Sequence, residues 1–295
     1  MNTLLDALIV GGSYAGLSAA LQLARARRRI AVVDAGQRRN RFVDASHGFL
    51  GQDGRAPGAV VQDAKAQLLA YPNVAWVDGK ATSARRLGDG FSVDVADRTL
   101  QASRLVLATG VVDELPPVEG LAERWGRTVF HCPYCHGYEL EQGAIGVLAS
   151  SPLSMHHALM LPDWGTVTFF LNGAFEPDAE QRRALAARGV TVEAAPVARI
   201  SGAATVELAD GRRVELAGLF TATQTRMASP LAEQLGCEFE QGPAGPFLRR
   251  TMMQTTVPGV FACGDAAAAF ANVAIAVGDG AMTGAATHRS LIPGF

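Results

Sequence analysis

A chain of 295 residues with 48% hydrophobic and 18% charged side chains holds core material for about two domains of ~150 residues each, which excludes a disordered chain. Its net charge of −2 leaves no broad basic surface, so the phosphate attraction behind most nucleic-acid binding is not expected. No apolar run approaches the ~18 residues of a membrane span, and no basic stretch precedes the first apolar segment, so neither a span nor a secretory leader is expected. The four cysteines, Cys132, Cys135, Cys237 and Cys263, are too sparse for a disulfide scaffold and fit a reducing cytoplasm.

In chain order, Ala7-Leu8-Ile9-Val10 reads as a short strand and Gly11-Gly12-Ser13-Tyr14-Ala15-Gly16 as the turn ending it. From Leu17 to Arg28 the pattern is an alanine-rich helix with Leu17, Leu21 and Ala24 on one face. Ile30-Ala31-Val32-Val33 reads as a second strand, closed by Asp34, and a loop over 35–58 leads into a helix reaching about Leu69. Residues 91–102 alternate as a hairpin does, and Leu105-Val106-Leu107-Ala108 reads as a buried strand ending in Thr109-Gly110. A second set of the same design follows: strand at 144–148, helix at 153–161, strand at 167–171, helix at 177–188, then a hairpin. Val93-Asp94-Val95-Ala96-Asp97 even echoes Val206-Glu207-Leu208-Ala209-Asp210, and each precedes a buried run, at 105–108 and 219–222. The expected fold is α/β, with two Rossmann-like nucleotide-binding domains, the second inserted into the first. Leu115-Pro116-Pro117 and Gly242-Pro243-Ala244-Gly245-Pro246 mark the crossings. The first domain then comprises 1–114 and 242–295, and the inserted one 115–241.

Gly11, Ser13 and Gly16 occupy the three positions of a G-x-G-x-x-G turn, with serine in the middle. In such a turn the first position allows a tight bend, the second lets backbone approach a diphosphate, and the third lets helix and strand pack closely. The diphosphate would rest on the N-terminus of the helix beginning near Ala15, where free amides and the dipole favour an anion. Asp34, at the end of the second strand, is placed to accept hydrogen bonds from an adenosine ribose. The turn alone does not say which dinucleotide binds.

His131-Cys132-Pro133-Tyr134-Cys135-His136-Gly137-Tyr138 carries the chemistry. Two cysteines two residues apart at the start of a helix can close a disulfide, and a helix terminus lowers a thiol's pKa. A neighbouring histidine, His136, can stabilise the thiolate and carry its proton. Zinc needs four ligands, and neither a second C-x-x-C nor a spaced histidine pair is present, so no metal is expected. Two buried structural thiols would not account for flanking histidines.

Thr256-Val257-Pro258-Gly259-Val260-Phe261-Ala262-Cys263-Gly264-Asp265 resembles the second FAD motif of the two-dinucleotide-domain flavoproteins, and Ala108-Thr109-Gly110 resembles their internal motif. The resemblance implies FAD, held by Gly11, Ser13, Tyr14, Ala15 and Gly16, by Asp34 and Ala35, by Arg41, His47 and Gly48, and by Ala81, Thr109 and Gly110. It adds Gly264, Asp265, Asn272, Val273 and Ala274 at the C-terminal end. Cys263 then stands where the family has a small residue, and reads as core. Over nearly its whole length the chain resembles the low-molecular-weight thioredoxin reductases. That implies Cys135 as the flavin-side thiol, Cys132 as the exchange thiol, and a homodimer. His136 stands where those enzymes carry an aspartate, and the Cys-Pro-Tyr-Cys-His-Gly-Tyr form looks closer to the dithiol oxidases that close disulfides in gliotoxin- and holomycin-type natural products.

A thioredoxin reductase needs a second glycine turn for NADPH. At that place the chain reads Ala149-Ser150-Ser151-Pro152-Leu153-Ser154, and Pro152 also removes an amide from the phosphate cradle. Leu171-Asn172-Gly173 supplies none of the basic residues a 2′-phosphate requires, Arg182 and Arg183 read as a solvated helix face, and His156 and His157 as ordinary surface or core residues. The expectation is therefore an FAD enzyme with catalytic Cys132, Cys135 and His136 that oxidises a small-molecule dithiol, with oxygen as acceptor. The alternative is a disulfide reductase fed by NADPH or another donor.

Overall fold

The structure is a computed structural model that describes residues 4–295. The chain divides into two compact units: the first runs up to Arg41 and takes in Ala56–Val112 and Thr225–Phe295, and the second holds Phe42–Arg55 and Asp113–Gln224.

In the first unit the strand Leu5–Val10 lies between parallel neighbours, with Ile9 opposite Val32 on one side and Val106 on the other. Val74–Asp78 extends the sheet beyond Ile30–Asp34, and Val260–Ala262 extends it beyond Arg98–Leu107. A central parallel strand is covered on both faces, which is why its sequence is continuously apolar. Ala7, Ile9 and Val32 face the helix Tyr14–Arg25, whereas Leu8, Val10, Val33 and Leu105 face Phe91 and Val93. The alanines of Tyr14–Arg25 have a purpose of their own, because glycines of another helix pack on them. A Cβ on Gly280 would run into the Ala15 carbonyl and one on Gly284 into the Ala19 carbonyl, so the C-terminal helix Val273–Arg289 packs backbone against backbone there. The expected hairpin proves three-stranded: Gly90–Val95 pairs with both Ala81–Leu87 and Arg98–Leu107, and the last of these runs straight on into the buried sheet. Val74–Asp78 escaped the sequence reading because its burial does not alternate cleanly.

The second unit carries a parallel sheet in the order Thr191–Glu193, Thr166–Phe170, Ala144–Leu148, Gly218–Thr221, Val129–Phe130. Phe130, Phe169 and Phe220 pack there with Leu161 and Leu185, from the segments flanking Ser154–Met160 and from the helix Ala179–Ala187. Asp178 and Gln181 close a reciprocal capping box at the start of the latter helix. Three antiparallel strands, Val197–Ser201, Thr205–Leu208 and Arg213–Glu215, complete the unit.

The molecule thus has the α/β plan of two nucleotide-type units, one inserted into the other. Two stretches group otherwise than composition suggested. Phe42–Arg55 folds on itself, with the Ser46 amide donating to the Arg55 carbonyl at 2.8 Å, and clusters with the inserted unit. Residues 225–241 cluster with the first unit, because Leu231 and Cys237 fill the core under Phe91 and Val93. Among the described residues no helix is long and apolar enough to cross a membrane.

Candidate active site

The first unit gathers its motif residues at the carboxyl ends of four adjacent parallel strands. Gly264 follows Val260–Ala262, Thr109 and Gly110 follow Arg98–Leu107, Gly11 follows Leu5–Val10, and Asp34 ends Ile30–Asp34. That edge is where open α/β sheets bind ligands. Gly11 has φ +109°, and a Cβ on it would strike the Ala108 carbonyl, while a Cβ on Gly16 would strike the Gly11 carbonyl. Only glycine at both positions lets strand, turn and helix approach this closely. Ser13 is the N-cap of Tyr14–Arg25, and its hydroxyl caps nothing. The first helical bond is Leu17 N–H to the Ser13 carbonyl at 2.8 Å, so the amides of Tyr14, Ala15 and Gly16 have no helical acceptor. Asp34 Oδ1 accepts the Gly12 amide at 3.1 Å, which holds the carboxylate beside the turn, and the Gly79 amide donates to the Asp34 carbonyl at 2.8 Å. Ala35 is exposed just beyond, and Ala81 is buried where the next strand starts.

Gly264 has φ +68°, and its Cα lies so near Ala15 that a Cβ would meet the Ala15 methyl at 2.8 Å. Asp265 pairs with Arg39 at 3.2 Å, and Asn40 Nδ2 donates to the Tyr14 hydroxyl at 3.1 Å. Asn272 caps the C-terminal helix by accepting the Ile275 amide at 2.8 Å, which leaves Val273 and Ala274 in the first turn. A cradle that added side chains would fill, free turn amides and a positioned carboxylate fit a dinucleotide such as FAD. Sequence reasoning missed a supporting pair. Asp279 accepts the Gly264 amide at 2.8 Å and binds Arg250 at 2.8 Å, and Arg250 also donates to the Ala262 carbonyl. No local motif announces an ion pair between a strand and a helix so far apart in sequence. Beside it Cys263 is fully buried, which pushes its thiol up to about 12. Arg41 is the last residue of this stretch of the first unit, whereas His47 and Gly48 belong to the second.

In the second unit Cys132 and Cys135 form a disulfide, with their Cα atoms 5.3 Å apart. The helix there, Pro133–His136, is a single turn with Cys132 as its N-cap, so the dipole expected to lower a thiol's pKa amounts to little. His136 is the titratable side chain next to Cys135 in the chain. Its ring stacks on Phe130 at 4.3 Å between centroids, and both its nitrogens are buried without a hydrogen-bond partner. Burial lowers its pKa to about 4, opposed by the carboxylate of Glu139 and assisted by His47. Gly137 is required by space, since a Cβ would meet the Pro133 carbonyl and the Trp164 ring at 2.7 Å. The Tyr134 ring, 72% exposed, stands edge-on to Trp164 at 5.4 Å, and Tyr138 is 85% exposed. His47 lies 3.4 Å from Glu139 and 3.7 Å from Asp53, and the Gly48 amide donates to Asp53 at 2.7 Å. His157 is buried against His131 and Phe220, and its pKa is lowered to about 3, first by burial and then by His131 and His156.

The turn after Ala144–Leu148 is closed on itself. The Ser150 amide donates to Ser154 Oγ at 3.0 Å, the Leu153 amide to Ser151 Oγ at 3.3 Å, and the Ser150 hydroxyl to the Ala222 carbonyl at 2.6 Å. Pro152 has no amide to offer. After the neighbouring strand, Asn172 at φ +48° accepts the Val197 amide at 2.8 Å, which makes a tight turn where a ribose phosphate would need cations. Arg182 pairs with Glu176.

The sequence model of the family described as pyridine nucleotide-disulphide oxidoreductase matches residues 5–280. "Thioredoxin reductase tcpT" of Claviceps purpurea is 33% identical over 99% of this chain and 95% of its own. An oxidoreductase from Agrobacterium tumefaciens has the same fold at TM-score 0.95, with 57% identity over 98% of both chains. The structure of HlmI matches at TM-score 0.91, with 36% identity over 98% of this chain and 92% of that one.

Proposed function

The chain belongs to the pyridine nucleotide-disulphide oxidoreductase family, and from that premise we propose that it is an FAD-dependent dithiol oxidase that closes a disulfide in a small organic dithiol. At the coarser level it is a thioredoxin reductase-like, flavin-dependent thiol/disulfide oxidoreductase. One observation carries the finer reading: a disulfide with its histidine stands in a unit whose nucleotide turn spends its own donors on Ser154 and Ser151. A hydride from NADPH has no phosphate cradle to arrive in, so electrons enter as thiols. The Cys-Pro-Tyr-Cys-His-Gly-Tyr form, which resembles that of the dithiol oxidases, supports the same direction.

FAD would be held by the turn 11–16, Asp34, Thr109, Gly110, Gly264, Asp265 and the helix start at Asn272–Ala274. When bound, FAD would supply a two-electron acceptor for the reduced cysteine pair, with dioxygen as the final oxidant and hydrogen peroxide as its product. The chain's own steps are thiol–disulfide exchange. A substrate thiol gives its proton to His136 and attacks Cys132 Sγ, so the Cys132–Cys135 bond breaks and Cys135 leaves as a thiolate. The second substrate thiol then attacks the substrate sulfur of the mixed disulfide. This releases the oxidised product and leaves Cys132 and Cys135 reduced by two electrons. His136 suits proton transfer in both directions because its nitrogens are committed to no other partner. The exposed rings of Tyr134 and Tyr138 beside the disulfide favour a neutral organic substrate. We place the reaction in the reducing cytoplasm, in a homodimer.

The reductase names of the fungal relatives favour a second reading, disulfide reduction fed by NADPH or another donor. Anaerobic titration of the holoenzyme separates the two. Bleaching of the flavin band by dithiothreitol but not NADPH, with air restoring it and peroxide appearing, is the expected result. Immediate bleaching by micromolar NADPH establishes the reductase instead.

A further inference from the structure

Five of the chain's six histidines, His47, His131, His136, His156 and His157, belong to the disulfide-bearing unit, and only His136 has a task in the exchange reaction. His47 arrives there on the loop Phe42–Arg55, which is separated from the Cys-x-x-Cys by more than seventy residues yet clusters with it. Its two ring nitrogens face two carboxylates: Nε2 lies 3.4 Å from Glu139 Oε1, and Nδ1 lies 3.7 Å from Asp53 Oδ1. The loop is built to present it. The Ser46 amide donates to the Arg55 carbonyl, the Gly54 amide to the Ser46 carbonyl, and Asp53 accepts the Gly48 amide at 2.7 Å, so the residues on both sides of His47 are tied down. Glu139 follows His136 by three residues across Gly137, whose lack of a side chain lets the turn close against Trp164.

We propose that Glu139 is the counter-charge for the His136 imidazolium formed when a thiol gives up its proton, and that His47 is a positioning residue that holds Glu139 and competes for its charge. This rests on the dithiol-oxidase reading and adds to it the groups that govern the proton. A buried imidazolium with no hydrogen-bond partner is costly, so a carboxylate close by is what makes the proton transfer accessible. Glu139 sits in the turn Tyr138–Leu140 that directly follows Pro133–His136, with His47 3.4 Å from it, and in sign Glu139 favours protonated His136 whereas His47 opposes it. The strand Val129–Phe130 offers the ring only an apolar stacking partner, Phe130. His157, on Ser154–Met160, stands edge-on to His131 and 6.1 Å from the His156 ring, and the charges that act on His136 are those of Glu139 and His47. Asp53 stands behind His47 and anchors it from the side away from Glu139. No atom is transferred to either residue: the proton goes from thiol sulfur to His136 and from there to the departing Cys135 thiolate.

The test follows the thiols rather than the flavin. FAD-loaded enzyme is mixed anaerobically with dithiothreitol at a series of pH values, quenched, alkylated, and the reduced Cys132–Cys135 pair counted by mass spectrometry. The ratio of variant to wild-type rate cancels the titration of the probe itself. Glu139→Gln is expected to slow reduction by about 10-fold on the plateau and to move the acid limb to lower pH by about half a unit or more, with Glu139→Asp recovering most of the loss. His47→Gln is expected to move the limb the opposite way, to higher pH. Opposite shifts are the signature, because a merely structural defect lowers the rate without moving the two limbs apart. Unshifted limbs, or shifts of one sign in both variants, overturn the proposal. If Glu139→Gln does not fold, the sign of the His47→Gln shift decides alone. Wild-type enzyme whose disulfide dithiothreitol fails to reduce would instead overturn the dithiol-oxidase reading, an outcome distinct from either of these.

Discussion

The turns after Val10 and after Leu148 occupy the same place in two copies of one plan, and they differ in where their polar groups point. After Val10, glycines bring the backbone close, the Ser13 hydroxyl caps nothing, and three amides at the helix start keep no acceptor. After Leu148, serine hydroxyls take the amides and proline removes another. The second turn thus spends its donors locally while the sheet and the helix that frame it stay intact. A backbone donor needs some acceptor, and a local hydroxyl serves the protein's stability as well as a phosphate would.

The sharpest way to break the contrast is on the side that keeps its chemistry. Cys135→Ser is expected to lower peroxide production from dithiothreitol by about 1,000-fold or more, because exchange then lacks its leaving thiolate. An oxygen-electrode assay with a peroxide trap reads it directly, and turnover close to wild type would place the electron entry elsewhere. Next in size, Gly16→Val drives a side chain into the Gly11 carbonyl and is expected to weaken FAD binding about 100-fold. Pro152→Gly, at the matching turn of the other unit, is expected to leave the ratio of flavin to protein absorbance unchanged. Equal flavin loss in both variants would erase the distinction between the turns.

Acid stability is expected to separate the units as well. His157 has a folded pKa of about 3 against an ordinary 6.5, so the unfolded chain takes up the proton first. Stability is therefore whole above about pH 6.5 and is lost as pH falls toward about 3, with a loss near 2 kcal/mol already at pH 5. His157→Phe is expected to remove that part of the dependence, so its melting temperature should fall less than wild type's between pH 7.5 and 5. Parallel falls would show that His157 is not responsible. The smallest effect is expected from Ser154→Ala, which leaves the Ser150 amide without its buried acceptor. It should cost about 1 kcal/mol, seen as a melting shift of a few degrees, with flavin content unchanged.

Much of this was legible in advance. Ala7–Val10, the turn 11–16 and Asp34 were readable because each link is short-range: an apolar run, a glycine spacing and a strand-ending acid. The Cys-Pro-Tyr-Cys-His motif was readable for the same reason. The pairing of His47 with Glu139 was not, because it depends on a loop whose own hydrogen bonds, and not its sequence period, decide where it lies. The Arg250–Asp279 pair and the border at residues 225–241 were hidden likewise, since both depend on partners far away in the chain.

The sequence by itself determined the α/β plan, the disulfide chemistry and the absence of glycine from the second turn. These follow from local periodicity and from which side chains can do redox work. Tertiary structure alone decided that the glycine-poor turn is sealed by its own serines and that the helix behind Cys132 is a single turn. It also decided that His136 is buried against the Phe130 ring with neither ring nitrogen hydrogen-bonded. Burial and hydrogen-bond satisfaction are properties of residues brought together from distant places, and no local pattern encodes them.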